Sequence, residues 1–461
     1  MRQTDSLTPV AASPSPVLAD ILPPERNNFA AIRLAMALAV LVSHSWWLAT
    51  GQSSLEPLHA WTHHTLGEHA VQVFFFLSGV VVAQSLFKSG SLIDFAAARA
   101  LRIFPALVAC VLMTALILGP LVTTGSFKAY FADRAWLDYI AKTIALTTGS
   151  APLPGVFTDV PVKGLVNLSL WTLKFEVLCY ALLAAFGLIL LRRPQWLGLM
   201  TAGLAVFVAC IFVGMPKTPA GYSALDNVRY FILFFGMGTL AFLMRNRLPL
   251  TWVAVPPLFA IFALAIGTRF AELTSAIFLG YATLMIASLS LPRLRSFTNL
   301  QDYSFGVYII ACPVQQALIH LRPGIGPIEL TLVTLGIVLP LSVFSWTHIE
   351  RPAMQLRKRL VASIRRRAGL SPAILREASA RVDAAGIPAF ASLRRASATL
   401  PAASRPAART PAPKPTLPPP AYRTSTVSAP NALFTLLQQR RYKAITRPYA
   451  STARASADGP H

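Results

Sequence analysis

Ten separate stretches of about twenty largely apolar residues divide the first 347 positions of this chain. They lie at about 29–48, 69–87, 103–122, 167–191, 196–213, 226–244, 250–268, 272–291, 303–320 and 327–347. Each is long enough to cross a bilayer as a helix, and within hydrocarbon a lone segment satisfies its backbone polar groups only as a helix. Composition agrees: 54% of residues are hydrophobic and only 13% charged, more apolar than soluble domains usually are. The sequence therefore predicts an all-α integral membrane protein, a bundle of about ten transmembrane helices, followed by a disordered basic C-terminal tail.

The basic residues give this bundle a direction. One set of connections holds Lys88, Arg99 and Arg102, then Arg192 and Arg193, Arg245 and Arg247, and Arg293 and Arg295. The exit from the last run adds Arg351, Arg357, Lys358 and Arg359. In the alternate set, residues 49–68 carry no Lys or Arg, and the later ones hold only Lys217, Arg269 and Arg322. The long 123–166 connection mixes both signs. The positive-inside rule then places both termini in the cytoplasm. Residues 1–26 form a short N-terminal segment without a signal peptide's h-region, 27–353 the multi-span domain and 354–461 the tail.

Much of the +23 net charge belongs to that tail, where from residue 361 onward 16 Lys and Arg face three acidic residues. Its run "PAASRPAARTPAPKPTLPPP" has the composition of disorder, and "NALFTLLQQRRYKAI" is a weak helical patch. No nucleic-acid motif accompanies the charge. Cys110, Cys179, Cys210 and Cys312 all sit inside apolar runs, without metal-type spacing, and read as small core residues. In the 123–166 connection, "AWLDYIAKTIAL" has the pattern of a short amphipathic surface helix.

Against this apolar background the ionisable residues inside the spans stand out, because each is costly there. Arg33 and His44 are eleven residues apart. At 100° per residue they share one helix face, about 16 Å apart along the axis. Arg99 and Arg102, at i and i+3, present two guanidiniums on one face, a pattern that suits a polyphosphate as well as a topology signal. Glu176 lies about 13 Å into the fourth span, near the depth of His44. A carboxylate there needs a partner, and His44 and Lys174 are the candidates. A His–Glu pair is suited to general-base chemistry. Ser78-Gly79 is a small-residue pair that favours close helix packing.

Taken together, six segments resemble the membrane-bound acyltransferase-3 family, the O-acyltransferases of bacterial surface glycans. They are Arg33-x10-His44, "FFFLSG" (74–79), "RALRIFP" (99–105), "SLWTLKFE" (169–176), "SFGVYIIACP" (304–313) and the closing "SWTHIERPA". The resemblance covers about residues 27–353. It departs at Ala311, where many members carry a histidine. It implies an acyl-CoA donor, acetyl-CoA above all, and no permanently bound cofactor or metal. The implied acceptor is a hydroxyl of a carbohydrate or lipid-linked glycan. His44 and Glu176 would be catalytic, with Arg33, Arg99 and Arg102 holding the CoA phosphates at the cytoplasmic mouth. His44 would either deprotonate the acceptor or carry the acyl group itself. The competing reading is a proton-coupled secondary transporter using His44 and Glu176 as a relay, but the sequence shows no inverted repeat.

Overall fold

Helices occupy all ten expected places in the computed structural model, which describes residues 16–148, 151–213, 222–291 and 301–367. They are α1 (Phe29–Thr50), α2 (Leu66–Ser89), α3 (Leu92–Met113), α4 (Leu173–Arg192) and α5 (Leu197–Cys210). The chain continues through α6 (Ala224–Leu243), α7 (Val255–Ala265), α8 (Ala271–Ser288), α9 (Ser304–Leu321) and α10 (Pro327–Ser345). No strand forms among the described residues. Contacts divide the chain into Met1–Leu400 and Pro401–His461. The second unit, and with it the expected helical patch, lies outside the described residues, as do Arg293 and Arg295.

Seven of these helical runs are both long and apolar enough to cross a membrane, so the structure does not bear out the expected count of about ten. The shortfall has a physical cause. The runs Leu197–Cys210 and Trp252–Ala265 have 14 residues each, about 21 Å at 1.5 Å per residue against a hydrocarbon core of about 30 Å. α6 opens with the charged pair Asp226 and Arg229. The outward faces are apolar, with Leu121, Leu199, Leu264, Leu332 and Phe344 all exposed, as a lipid-facing surface requires.

Two helices begin or end away from their expected limits. α3 starts at Leu92, where Ser91 caps Asp94 N–H, and runs with a π turn to Val122. Arg99 and Arg102 therefore lie inside the helix rather than in a connection. α10 passes through a π turn at Trp346–Glu350 and stays largely helical to Arg367, beyond the expected 353/354 boundary. The "AWLDYIAKTIAL" segment does form a helix, Ala135–Ile144. Of the cysteines, Cys179 and Cys312 are core residues, but Cys210 is exposed, contrary to its expected packing.

Contacts tie together helix ends that carry or adjoin the described basic connections. Leu18 N–H bonds to Leu248 O, and Asn28 N–H to Ala287 O, tying the N-terminal segment to the ends of α6 and α8. Arg357 and Arg365 reach Asp94 at the start of α3.

α2 packs against α1, α3, α4, α6 and α8. A Cβ on Gly79 would strike Phe235 O, and one on Gly238 would strike Phe76 O. The α2 and α6 backbones thus touch directly, which explains the small residue in "FFFLSG". Gly238→Ala should destabilise the folded protein by about 1–3 kcal/mol through overpacking. Thermal unfolding in detergent checks this; an unchanged midpoint would show that the helices have room to separate.

Candidate active site

Two cavities adjoin inside the bundle. The first is bordered by Arg33, Arg99, Arg102, Glu176 and Tyr180. The second is lined by His44, Trp47, Glu68, Trp171, Tyr222 and Asn227. Only Val71, Thr172 and Tyr308 line both. Four helical segments reach both cavities, α2 and α4 running opposite to α1 and α9. α1 gives Arg33 to the first cavity and His44 to the second. α2 gives Glu68 to the second, Val71 to the junction and Ser78 to the first. The turn Leu168–Thr172 and α4 give Trp171, Thr172 and Glu176, and α9 gives Phe305 and then Tyr308. The two cavities thus adjoin along the bundle and share a wall of three residues.

The structure thus separates the five expected site residues. Arg33, Arg99, Arg102 and Glu176 share the first cavity, and His44 borders the second. Glu176 pairs with neither expected partner. Its Oε1 accepts the Tyr180 hydroxyl one turn on, and Ser78 Oγ lies 3.3 Å from that hydroxyl. Lys174 is exposed, its Nζ 4.9 Å from the Phe175 ring centroid, so it is not the buried counter-charge expected for Glu176. His44 Nδ1 is buried with no hydrogen-bond partner, a group left open inside a cavity wall. Ala311, the expected departure from the resemblance, is buried in the core.

The three arginines are not equivalent. Arg102 Nη1 donates to Glu350 Oε2 at 2.8 Å and Nη2 to Asp302 Oδ2 at 2.8 Å. Ser345 Oγ donates to Glu350 as well. Arg33 Nη2 lies 3.2 Å from Asp302 Oδ2. Arg102 therefore ties α3, the start of α9 and the π turn after α10 to one another. Arg99 has no carboxylate partner among the described contacts. It lies over the Tyr180 ring, 5.8 Å from guanidinium carbon to centroid, with its Nε buried and unpaired. It is the guanidinium with capacity left for an anion.

Sequence reasoning did not single out Asp302 or Glu350, although Glu350 stands inside the quoted "SWTHIERPA". Burial would raise the Asp302 carboxyl, but Arg102, Arg33 and Ser304 outweigh it and hold its pKa down at about 2. A depressed carboxyl contributes stability above its unfolded value, 3.8, and loses it as pH falls through about 2. We predict a constant stability gap between the parent and Asp302→Asn from neutral pH down to about 4, closing below that. A gap that closes between about pH 7 and 5 would contradict the anchor described here.

The far end of the second cavity is capped by a polar cluster. His64 Nε2 lies 2.9 Å from Glu272 Oε1, which also accepts the Tyr222 hydroxyl at 2.7 Å. Burial opposes a charge on His64, but the Glu272 bond and the charges of Glu272 and Glu68 raise its pKa. Thr65 and Glu68 form a capping box that fixes the start of α2 beside this cluster.

Fold and site define the class: a multi-pass helical membrane protein with a guanidinium-bearing cavity adjoining a histidine-bearing one. The profile of an acyltransferase domain, the acyltransferase-3 family, matches residues 26–347. The O-acetyl transferase of Shigella phage Sf6 is 33% identical over 340 residues, covering 70% of this chain and 95% of its own. Nodulation protein 10 of Rhizobium leguminosarum bv. viciae is 29% identical, covering 73% and 95%. The exopolysaccharide production protein ExoZ of Rhizobium meliloti is 27% identical, covering 64% and 91%. No solved structure matches the chain. This chain belongs to the acyltransferase-3 family and is an acyltransferase.

Proposed function

We propose that this protein transfers an acyl group, acetyl above all, from cytoplasmic acyl-CoA to a hydroxyl of a carbohydrate or glycolipid, such as a surface polysaccharide or exopolysaccharide. The observation that carries this reading is the pair of adjoining cavities, with arginines in one and His44 in the other. Relatives named as an O-acetyl transferase and as an exopolysaccharide production protein support the acceptor class.

In this reading the basic face is cytoplasmic. CoA phosphates bind at Arg99, assisted by the outer edge of the Arg33–Asp302 pair. The pantetheine arm enters the first cavity, where Glu176 and Ser78 offer acceptors for its amide N–H groups. The thioester reaches the Val71–Thr172–Tyr308 junction. The acceptor enters the second cavity from the other side. There Trp47 and Trp171 supply faces for a sugar ring, while Glu68, Tyr222 and Asn227 supply hydrogen bonds to its hydroxyls.

His44 takes the proton of the acceptor hydroxyl as its oxygen attacks the thioester carbonyl. The new C–O bond forms, the C–S bond breaks, and the CoA thiolate receives the proton from the imidazolium. Arg102, held by two carboxylates, keeps the cavity wall in place. Mass analysis of surface glycans from cells with and without this protein tests the proposal. Ester-linked acyl groups present only with the protein are expected; an identical glycan profile in both would refute it.

A further inference from the structure

Every pair of contacting chambers needs a wall, and here three side chains supply it. Thr172 and Tyr308 are buried, and their hydroxyls lie 2.7 Å apart, joining α9 to the turn before α4. Val71 on α2 completes the ring. Phe74, one turn further along α2, packs edge-on against the Tyr308 ring at 5.8 Å between centroids. The Thr172–Tyr308 bond thus joins two helical segments at the border between the cavities, where Val71 adds a branched aliphatic side chain. Anything carried from the first cavity to the second passes these three groups.

We propose that Val71, Thr172 and Tyr308 form a gate that sets the size of the acyl group transferred and keeps water in the second cavity away from the thioester. This rests on the acyl-CoA reading above. The acyl group is the only part of the donor that has to cross the junction. A valine there leaves room for a short chain and meets each added methylene with a steric cost. The hydroxyl bond holds the gate closed behind it, since Thr172 and Tyr308 satisfy one another and neither needs a water partner. All three are positioning residues: they act by shaping the passage.

The test uses the purified full chain with acetyl-CoA, propionyl-CoA and butyryl-CoA, measuring both acyl transfer to glycan extracted from producing cells and CoA binding. Val71→Ala should raise the butyryl-to-acetyl ratio of kcat/KM about tenfold, and Val71→Ile should lower it by a similar factor, the scale of one methylene in a fitted pocket. CoA binding should stay at the parent level in both. Tyr308→Phe should raise acetyl-CoA hydrolysis without acceptor severalfold by releasing the gate. It keeps the inference testable should the Val71 variants fail to fold. Unchanged acyl preference in both Val71 variants, or unchanged hydrolysis in Tyr308→Phe, would overturn the gate. Absence of transfer from any acyl-CoA by the parent would instead overturn the donor reading itself.

Discussion

Arg102→Ala should unfold this protein far more readily than Arg99→Ala, although the two residues are three apart on one helix. Removing the Arg102 guanidinium leaves Glu350, only 1% exposed in its side chain, and Asp302 without their shared partner. Breaking a buried pair from one side costs about 3–5 kcal/mol. The loss would fall on the junction of α3, α9 and the turn after α10, where the helices meet at the basic face. Arg99 ties down no carboxylate. Its removal should leave the melting temperature near that of the parent and weaken acetyl-CoA binding about 10- to 150-fold, the worth of one charge-assisted contact of about 1.5–3 kcal/mol. Thermal unfolding and donor titration on both variants check the contrast. A stable Arg102→Ala protein with weakened donor binding would show that Arg102 serves the donor rather than the fold.

His44→Ala should lower transfer by about 10²- to 10⁴-fold, the usual contribution of a positioned general base. Donor binding should remain, because the imidazole borders the second cavity and the arginines border the first. The expected signature is a fall in kcat at unchanged acetyl-CoA affinity. Glu176→Gln should behave differently. Glu176 shares the donor cavity and bonds Tyr180, so its loss should appear in the donor requirement. A kcat loss in Glu176→Gln matching that of His44→Ala would restore the direct His–Glu partnership that this geometry separates.

Much of the fold was legible because hydrocarbon imposes one rule on every span. Periodic apolar runs marked all ten helical places, and Arg33 and His44 fell on one helix as their spacing required. The start of α3 was hidden because Asp94, Arg99 and Arg102 interrupt the apolar signal over a helix that local capping and an alanine run nonetheless support. The shortness of α5 was hidden because apolar residues continue past Cys210, where the helix stops.

The site was legible in its residues more than in its pairings. Equal depth suggested that His44 and Glu176 meet. Depth along an axis fixes neither the direction a side chain takes around its helix nor the wall between them. The partners of Arg102 lie 200 and 248 residues away in sequence, beyond any local spacing rule. Tyr180 was the accessible exception: it stands four residues after Glu176, the distance at which helical side chains meet. Gly79 showed its need for close packing, but its counterpart Gly238 emerged only when α2 and α6 were seen to touch.

The central claim is a path that takes the acyl group from the basic face to His44. Sidedness tests it most directly. The purified protein is placed in lipid vesicles, and its orientation is read from protease access to the C-terminal tail. Labelled acetyl-CoA is supplied on one side, with glycan acceptor from producing cells on the other. The account predicts labelled acceptor only when acetyl-CoA faces the side bearing the tail and the basic connections. Labelling that requires acetyl-CoA on the opposite side would contradict it.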